Sequence, residues 1–282
     1  MQTNDALAYQ VDDLAPALRH ADPYGLAHDS RDGALYIADA ASGSILRVHQ
    51  EHVRRIATIQ ASDAMGVSRI GGLALTADGT LFVTRLGHGQ AGTVFRLDPA
   101  GGLSPFAKLP PQFWRSGVTH DAEANVLYTT QFLMSKFGAH EGSIVSIDLA
   151  TGEPSTVLDG FLKPVGIAKL GNMLVVADAR QHAVFRVQLS GGRAVSRYQL
   201  ASTSDRPDSV CACDTESVLV TGYDEASQVG TVQRIWLDGR SQLIATGSWE
   251  PRGVATDGTR ALVAVRRSDT VRAFDLAAPA AS

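Results

Sequence analysis

The sequence predicts an all-β fold, a six-bladed propeller with four antiparallel strands per blade, and three observations lead there. One short pattern recurs six times: Tyr24-Gly25-Leu26-Ala27, Gly71-Gly72-Leu73-Ala74, Ser116-Gly117-Val118-Thr119, Val165-Gly166-Ile167-Ala168, Asp208-Ser209-Val210-Cys211 and Arg252-Gly253-Val254-Ala255. Its first residues lie 47, 45, 49, 43 and 44 positions apart, the period of a propeller blade rather than of a helical repeat. The third observation is that the last unit runs out of chain before a fourth strand, while the N-terminus has one to spare.

Each unit continues in the same order. A polar turn follows the small-apolar start, and then a second apolar run: His28-Asp29-Ser30-Arg31-Asp32-Gly33 leads into Leu35-Tyr36-Ile37-Ala38, and Thr76-Ala77-Asp78-Gly79 into Leu81-Phe82-Val83-Thr84. Asp and Gly tolerate the positive φ of tight turns, so these are hairpins. Third strands such as Gly43 to Val48, Gly92 to Leu97, Gly142 to Ile147, Ala183 to Val187 and Gly230 to Ile235 broadly alternate apolar and polar residues at period two. Fourth strands, for instance Val53 to Ile59 and Gln242 to Thr246, are weaker, as suits an outer edge facing water.

After Val271-Arg272-Ala273-Phe274-Asp275-Leu276 only Ala277 to Ser282 remain. Leu7 to Val11 can supply the missing strand and close the ring by non-covalent pairing, which removes two free sheet edges. The expected organisation is one domain over 1–282, with blades at about 22–66, 67–112, 113–160, 161–204, 205–248, and 249–277 joined by 6–13.

Composition bounds the function. With 282 residues and 44% hydrophobic content the chain can bury a large core, and a net charge of −4 gives no general attraction for nucleic acid. No apolar run approaches the ~18 residues of a membrane span, and Met1 to Arg19 lacks the apolar segment of a signal peptide, so a cytoplasmic protein is expected. Cys211 and Cys213 are the only cysteines, two apart on one strand; they read as a packing pair rather than a disulfide. Gly87 to Gly92 is glycine-rich but joins two strands and opens no helix, so it reads as a turn and not a phosphate loop. His28 and His120 stand at equivalent far-end positions, where an imidazole serves a blade-to-blade hydrogen bond. No serine-hydrolase elbow is present.

The channel mouth is reconstructed by register. The residues that open the inner strands form one tier: Tyr24, Gly71, Ser116, Val165, Asp208 and Arg252. Two positions earlier lie Asp22, Arg69, Trp114, Lys163, Arg206 and Glu250, and second strands end at the same face with Asp39, Arg85, Gln131, Asp178, Gly222 next to Tyr223, and Val265 next to Arg266. Arg forks there suit a carboxylate, lactone carbonyl or phosphate, and a carboxylate or Tyr hydroxyl can move protons. Trp114 and Trp249 either wall such a pocket or cap the core.

The segments Asp22-Pro23-Tyr24-Gly25-Leu26-Ala27-His28-Asp29, Ala34-Leu35-Tyr36-Ile37-Ala38-Asp39 and Pro207-Asp208-Ser209 resemble the six-bladed superfamily of senescence marker proteins and gluconolactonases, with strictosidine-synthase-like and NHL-repeat propellers as more distant relatives. The resemblance implies a divalent metal at the channel top, held by a Glu of the first inner strand, Asn residues of the middle ones and an Asp in a Pro-Asp-Gly motif. Of these only Asp208 carries over; the others read Asp22-Pro23-Tyr24, Ile70-Gly71 and Pro164-Val165. Ile70 and Val165 cannot ligate a hard cation, which needs several oxygens, and Arg252 beside Asp208 would repel one.

The expectation is therefore a metal-independent, cofactor-free small-molecule enzyme of hydrolase, lyase, isomerase or cyclase type, acting on an anionic or heterocyclic metabolite, with neither nucleic acid nor membrane as partner. Asp208, Tyr24 and Tyr223 are the catalytic candidates. Arg252, Arg85, Arg206, Ser116, Trp114, Gln131 and Asp178 are the substrate-binding ones. Two alternatives stand beside it: a metal-dependent lactonase with ligands drawn from Asp208, Asp22 and Asp178, and a non-catalytic propeller that binds a ligand or a protein.

Overall fold

Period-two alternation makes each strand two-faced, and in the second strands of the blades both faces are buried, each against a neighbouring blade. A computed structural model describes residues 8–10, 21–50, 52–60, 69–86, 93–107, 109–110, 112–134, 140–203, 205–266, 268 and 270–276. Among them there is no helix, and the strands form six four-stranded antiparallel sheets. Blade one is built from Pro23–Asp29, Ala34–Asp39, Ser44–His49 and His52–Thr58, hydrogen-bonded in chain order from axis to rim.

The last sheet departs from chain order, as the short sixth unit requires. Its three C-terminal strands Pro251–Thr256, Arg260–Val265 and Thr270–Asp275 are completed by Ala8–Gln10, with Ala8 opposite Arg272 and Gln10 opposite Thr270. The expected ends of that strand, Leu7 and Val11, and the turn at Gly87 to Gly92 lie outside the described residues.

The core is divided into six, each portion between two blades. Leu26, Ile37 and Leu46 meet Leu262 and Val271 across the closing seam, while Ala38, Ile45 and Ile59 on the other face of blade one meet Ile70, Val83 and Phe95 of blade two. Cys211 and Cys213 are free thiols, partly buried against the packing between blades five and six. Burial raises both thiol pKa values.

At the axis the blades touch through backbone. A Cβ on Gly25 would lie 2.1 Å from the Gly71 carbonyl oxygen, one on Gly117 2.5 Å from that of Val165, and one on Gly253 2.1 Å from that of Tyr24. The repeated glycine is therefore demanded by close approach between inner strands. In three blades a threonine locks this contact. Thr130 Oγ1 accepts from Gly117 N at 2.9 Å and donates to the Val165 carbonyl of the next blade at 3.0 Å; Thr221 does the same between Ser209 N and the Arg252 carbonyl, and Thr84 between Gly72 N and the Ser116 carbonyl.

Candidate functional site

All six inner strands carry a β-bulge at their first residues. Strand pairing slips between Pro23 and Leu26, Ile70 and Leu73, Arg115 and Val118, Pro164 and Gly166, Pro207 and Ser209, and Pro251 and Val254. Tyr24, Gly71, Ser116, Val165, Asp208 and Arg252 all sit inside these slips. A bulge breaks strict alternation and re-aims a side chain, which is how one residue per blade is delivered to the channel.

Four of those side chains meet. Tyr24 of blade one and Ser116 of blade three line the channel together. The Arg252 guanidinium of blade six stands 5.6 Å from the Tyr24 ring centre and donates from Nη1 to Asp208 Oδ1 of blade five at 3.4 Å. Its Nη2 donates to Glu250 Oε1 at 2.6 Å, and the same oxygen accepts from Arg266 Nη1 at 2.8 Å. Arg252 Nε is buried with no hydrogen-bond partner among the described residues. Below the cluster the channel opens into a cavity of about 240 Å3 that runs from Tyr24, Ser116 and Asp208 to His120 and Lys169 near the far end.

Electrostatics follow from this packing. Burial, seconded by Asp208, pushes the Tyr24 hydroxyl up to about 12, so it keeps its proton at neutral pH. Burial works against the charge on Arg252, but Asp208, Tyr24 and Glu250 outweigh it and hold the guanidinium protonated. Lys163 lies with its amine 5.7 Å from the Phe132 ring centre, and burial lowers its pKa.

The other nominated residues are engaged elsewhere. Arg85 lies over the Phe95 ring at 5.0 Å and donates to the Gln60 carbonyl at 3.3 Å, between blades one and two. Arg206 pairs with Glu225 at the exposed rim, and Tyr223 is its neighbour across the sheet. Gln131 is buried, accepting from Arg115 Nη2 at 3.0 Å and donating to Ser143 Oγ at 3.1 Å. Trp114 stacks on Phe132 at 6.3 Å, and Trp249 on Phe274 at 5.7 Å, so both indoles cap blade cores. Asp178 is fully buried as a loop brace: Oδ1 accepts from the backbone of Lys163, Arg180 and Gln181, and Oδ2 from Leu162 N and Gln181 Nε2. Asp39 does the same for Asp22 N and Ala41 N in blade one.

At the far end the blade-to-blade contact expected of His120 is made by Lys169, whose Nζ lies 2.8 Å from Asp121 Oδ2. His120 lines the channel, and burial lowers its pKa. Glu250 and Arg266, which the register puts beside the opening tier, join the cluster without being among the expected site residues. The spacing of Glu250 two residues before Arg252, on a strand about to bulge, was the available signal.

A divalent cation does not fit this donor set. Asp208 faces a guanidinium, the Glu250 oxygen is shared by two arginines, and the Asp178 oxygens are filled by N–H donors. No three of His, Cys, Asp and Glu come together among the described residues, whereas a hard cation needs six or more oxygens.

No family model matches the sequence, and no curated protein is detectably similar to it. Solved structures do match over nearly the whole chain. A gluconolactonase from Xanthomonas campestris superposes with a TM-score of 0.73 at 14% identity, covering 97% of this chain and 91% of its own. A luciferin-regenerating enzyme gives 0.67 at 12%, covering 90% of each chain. Virginiamycin B lyase from Staphylococcus aureus gives 0.60 at 15%, covering 91% and 95%. At these identities the likeness is one of fold: the chain has the six-bladed ring of the gluconolactonase-like propellers.

Proposed function

We propose that the chain is a metal-independent enzyme that acts on a small anionic or heterocyclic metabolite at the channel mouth by acid–base chemistry of hydrolase or lyase type. The observation that carries this is the convergence of Tyr24, Ser116, Asp208 and Arg252, from four different blades, over an open channel. A sealed ring needs no such meeting of a carboxylate, a phenol and a guanidinium.

The roles follow from chemistry. Arg252 holds an oxyanion of the substrate by a charge-assisted fork. Asp208 takes a proton from the substrate or from an attacking water, and Tyr24, which stays protonated through neutral pH, donates to the leaving or developing oxygen. That a gluconolactonase, a luciferin-regenerating enzyme and a lyase are similar to this chain in fold supports an enzyme over a purely structural propeller.

The lactonase alternative keeps one observation in its favour, the location of Asp208 at the channel mouth, with Asp22 and Asp178 as its other nominated ligands. One experiment separates the readings. Purified protein is assayed on a panel of lactones, aryl esters and cyclic anions with and without EDTA, beside Asp208→Asn and Tyr24→Phe. Loss of at least a hundredfold in kcat in either variant, with no EDTA effect, is expected. Activity abolished by EDTA and restored by calcium or zinc would replace the proposal with the lactonase. Binding without turnover would leave a ligand-binding propeller.

A further inference from the structure

On the opposite face of the ring, where the hairpin turns lie, blades one and two enclose a cleft of about 500 Å3, within the size range of small-ligand sites. Its blade-one wall holds a row that runs straight across the sheet. Tyr36 pairs with Arg47, and Arg47 pairs with Arg54. Two arginines directly opposite each other on adjacent strands repel, and such pairs are destabilising unless something neutral or negative intervenes. Asp32 takes one nitrogen of Arg47. The Arg54 side chain is exposed and makes no ion pair or hydrogen bond among the described residues, while Arg55 pairs with Leu46 and belongs to the other face of the sheet.

Asp32 apart, the nearby carboxylates could have quenched this wall and do not. Asp29 is consumed by Arg31, which also reaches the Ala77 carbonyl of blade two at 2.8 Å and so fixes the floor of the cleft. Asp78 and Asp98 stand on the blade-two wall, their oxygens accepting from Thr76, Thr80 and Gly102 within their own turns. Neither lies within ion-pair distance of Arg54, so a basic wall faces an acidic one across open space. The chain puts opposite charges on the two sides of a cleft and leaves them apart.

We infer that this cleft binds a small zwitterion, its oxyanion head (phosphate or carboxylate) between Arg47 and Arg54 and its ammonium toward Asp78 and Asp98. The charge separation selects against simple anions, which the aspartate wall repels, and against simple cations, which the arginine wall repels. Tyr36 and Ile56 supply an apolar side for a short linker between the two charges.

The test is equilibrium binding of O-phosphoethanolamine, inorganic phosphate and ethanolamine to the full chain, by calorimetry. O-phosphoethanolamine should bind at least fivefold more tightly than phosphate, and ethanolamine not measurably. Arg54→Glu should cut binding of the zwitterion at least tenfold. Because it turns a like-charge pair with Arg47 into an opposite-charge one, it should also raise Tm by about 1–3 °C, which shows that the fold is intact. Asp98→Asn should erase the preference over phosphate. Equal affinity for phosphate and O-phosphoethanolamine, no binding at millimolar concentration, or binding that survives Arg54→Glu would each overturn the assignment. None of these readouts depends on the channel-mouth reaction.

Discussion

The Arg252 guanidinium stands 5.6 Å from the centre of the Tyr24 ring, although the two residues belong to the first and last inner strands of the chain. The contact exists only because the ring is closed, and it places the Arg252 fork where Asp208, Glu250 and Tyr24 all reach it. Arg252→Ala should therefore weaken binding of an anionic ligand by about 2 kcal/mol, on the order of thirtyfold. Arg252→Lys should recover only part of it, since an ammonium has no planar fork. Titration with an anionic ligand identified from the assay panel checks both, and parental affinity in the two variants would refute the anion site.

Alkaline stability should report on Tyr24. Its pKa is about 12 in the folded chain against 10.0 when unperturbed, so the folded state binds the proton more tightly. The resulting stabilisation is complete below pH 10 and is lost as the pH rises through 12. Urea unfolding between pH 8 and about 11.5 should show stability falling less steeply in Tyr24→Phe than in the parent; superimposable slopes would contradict the buried, protonated phenol.

Acid stability should depend on Asp257 in the opposite sense. Burial disfavours its charge, yet hydrogen bonds from Thr259 and Arg260 outweigh burial and lower its pKa from 3.8 to about 2. The stabilisation is present above pH 4 and disappears as the pH falls toward 2. Asp257→Asn should be less stable than the parent at pH 6, with the gap closing by about pH 2 in thermal melts.

Gly25→Ala should be among the most damaging single changes in the chain. The added Cβ would lie 2.1 Å from the Gly71 carbonyl oxygen, and backbone on both sides leaves nothing to move aside. A loss of about 3 kcal/mol or more, or failure to fold, is expected from denaturant titration.

Removal of residues 1–13 takes away the strand Ala8–Gln10 and exposes Thr270–Asp275 as a free edge. Tm should fall and light scattering should reveal association. A truncated chain that melts with the full one and stays monodisperse would mean that the closing strand is dispensable.

The six repeats, the order of strands within each blade and the closure by the N-terminal strand were determined by the sequence alone. Period-two alternation, Asp-Gly turns and the spacing of the glycine-bearing unit are local signals, and each acts over a few residues. Tyr24, Ser116, Asp208 and Arg252 were legible as one tier for the same reason: they hold equivalent places in the repeat. Tertiary structure alone decided which charged groups near the mouth join that tier. Arg85, Arg206 and Asp178 carry equally suitable chemistry, but Phe95, Glu225 and a ring of backbone N–H groups claim them. Those partners come from other strands or from loops whose course no repeat dictates. The bulges that turn the tier toward the axis likewise arise from inner strands packed backbone to backbone, a contact between blades that a pattern within one blade does not encode.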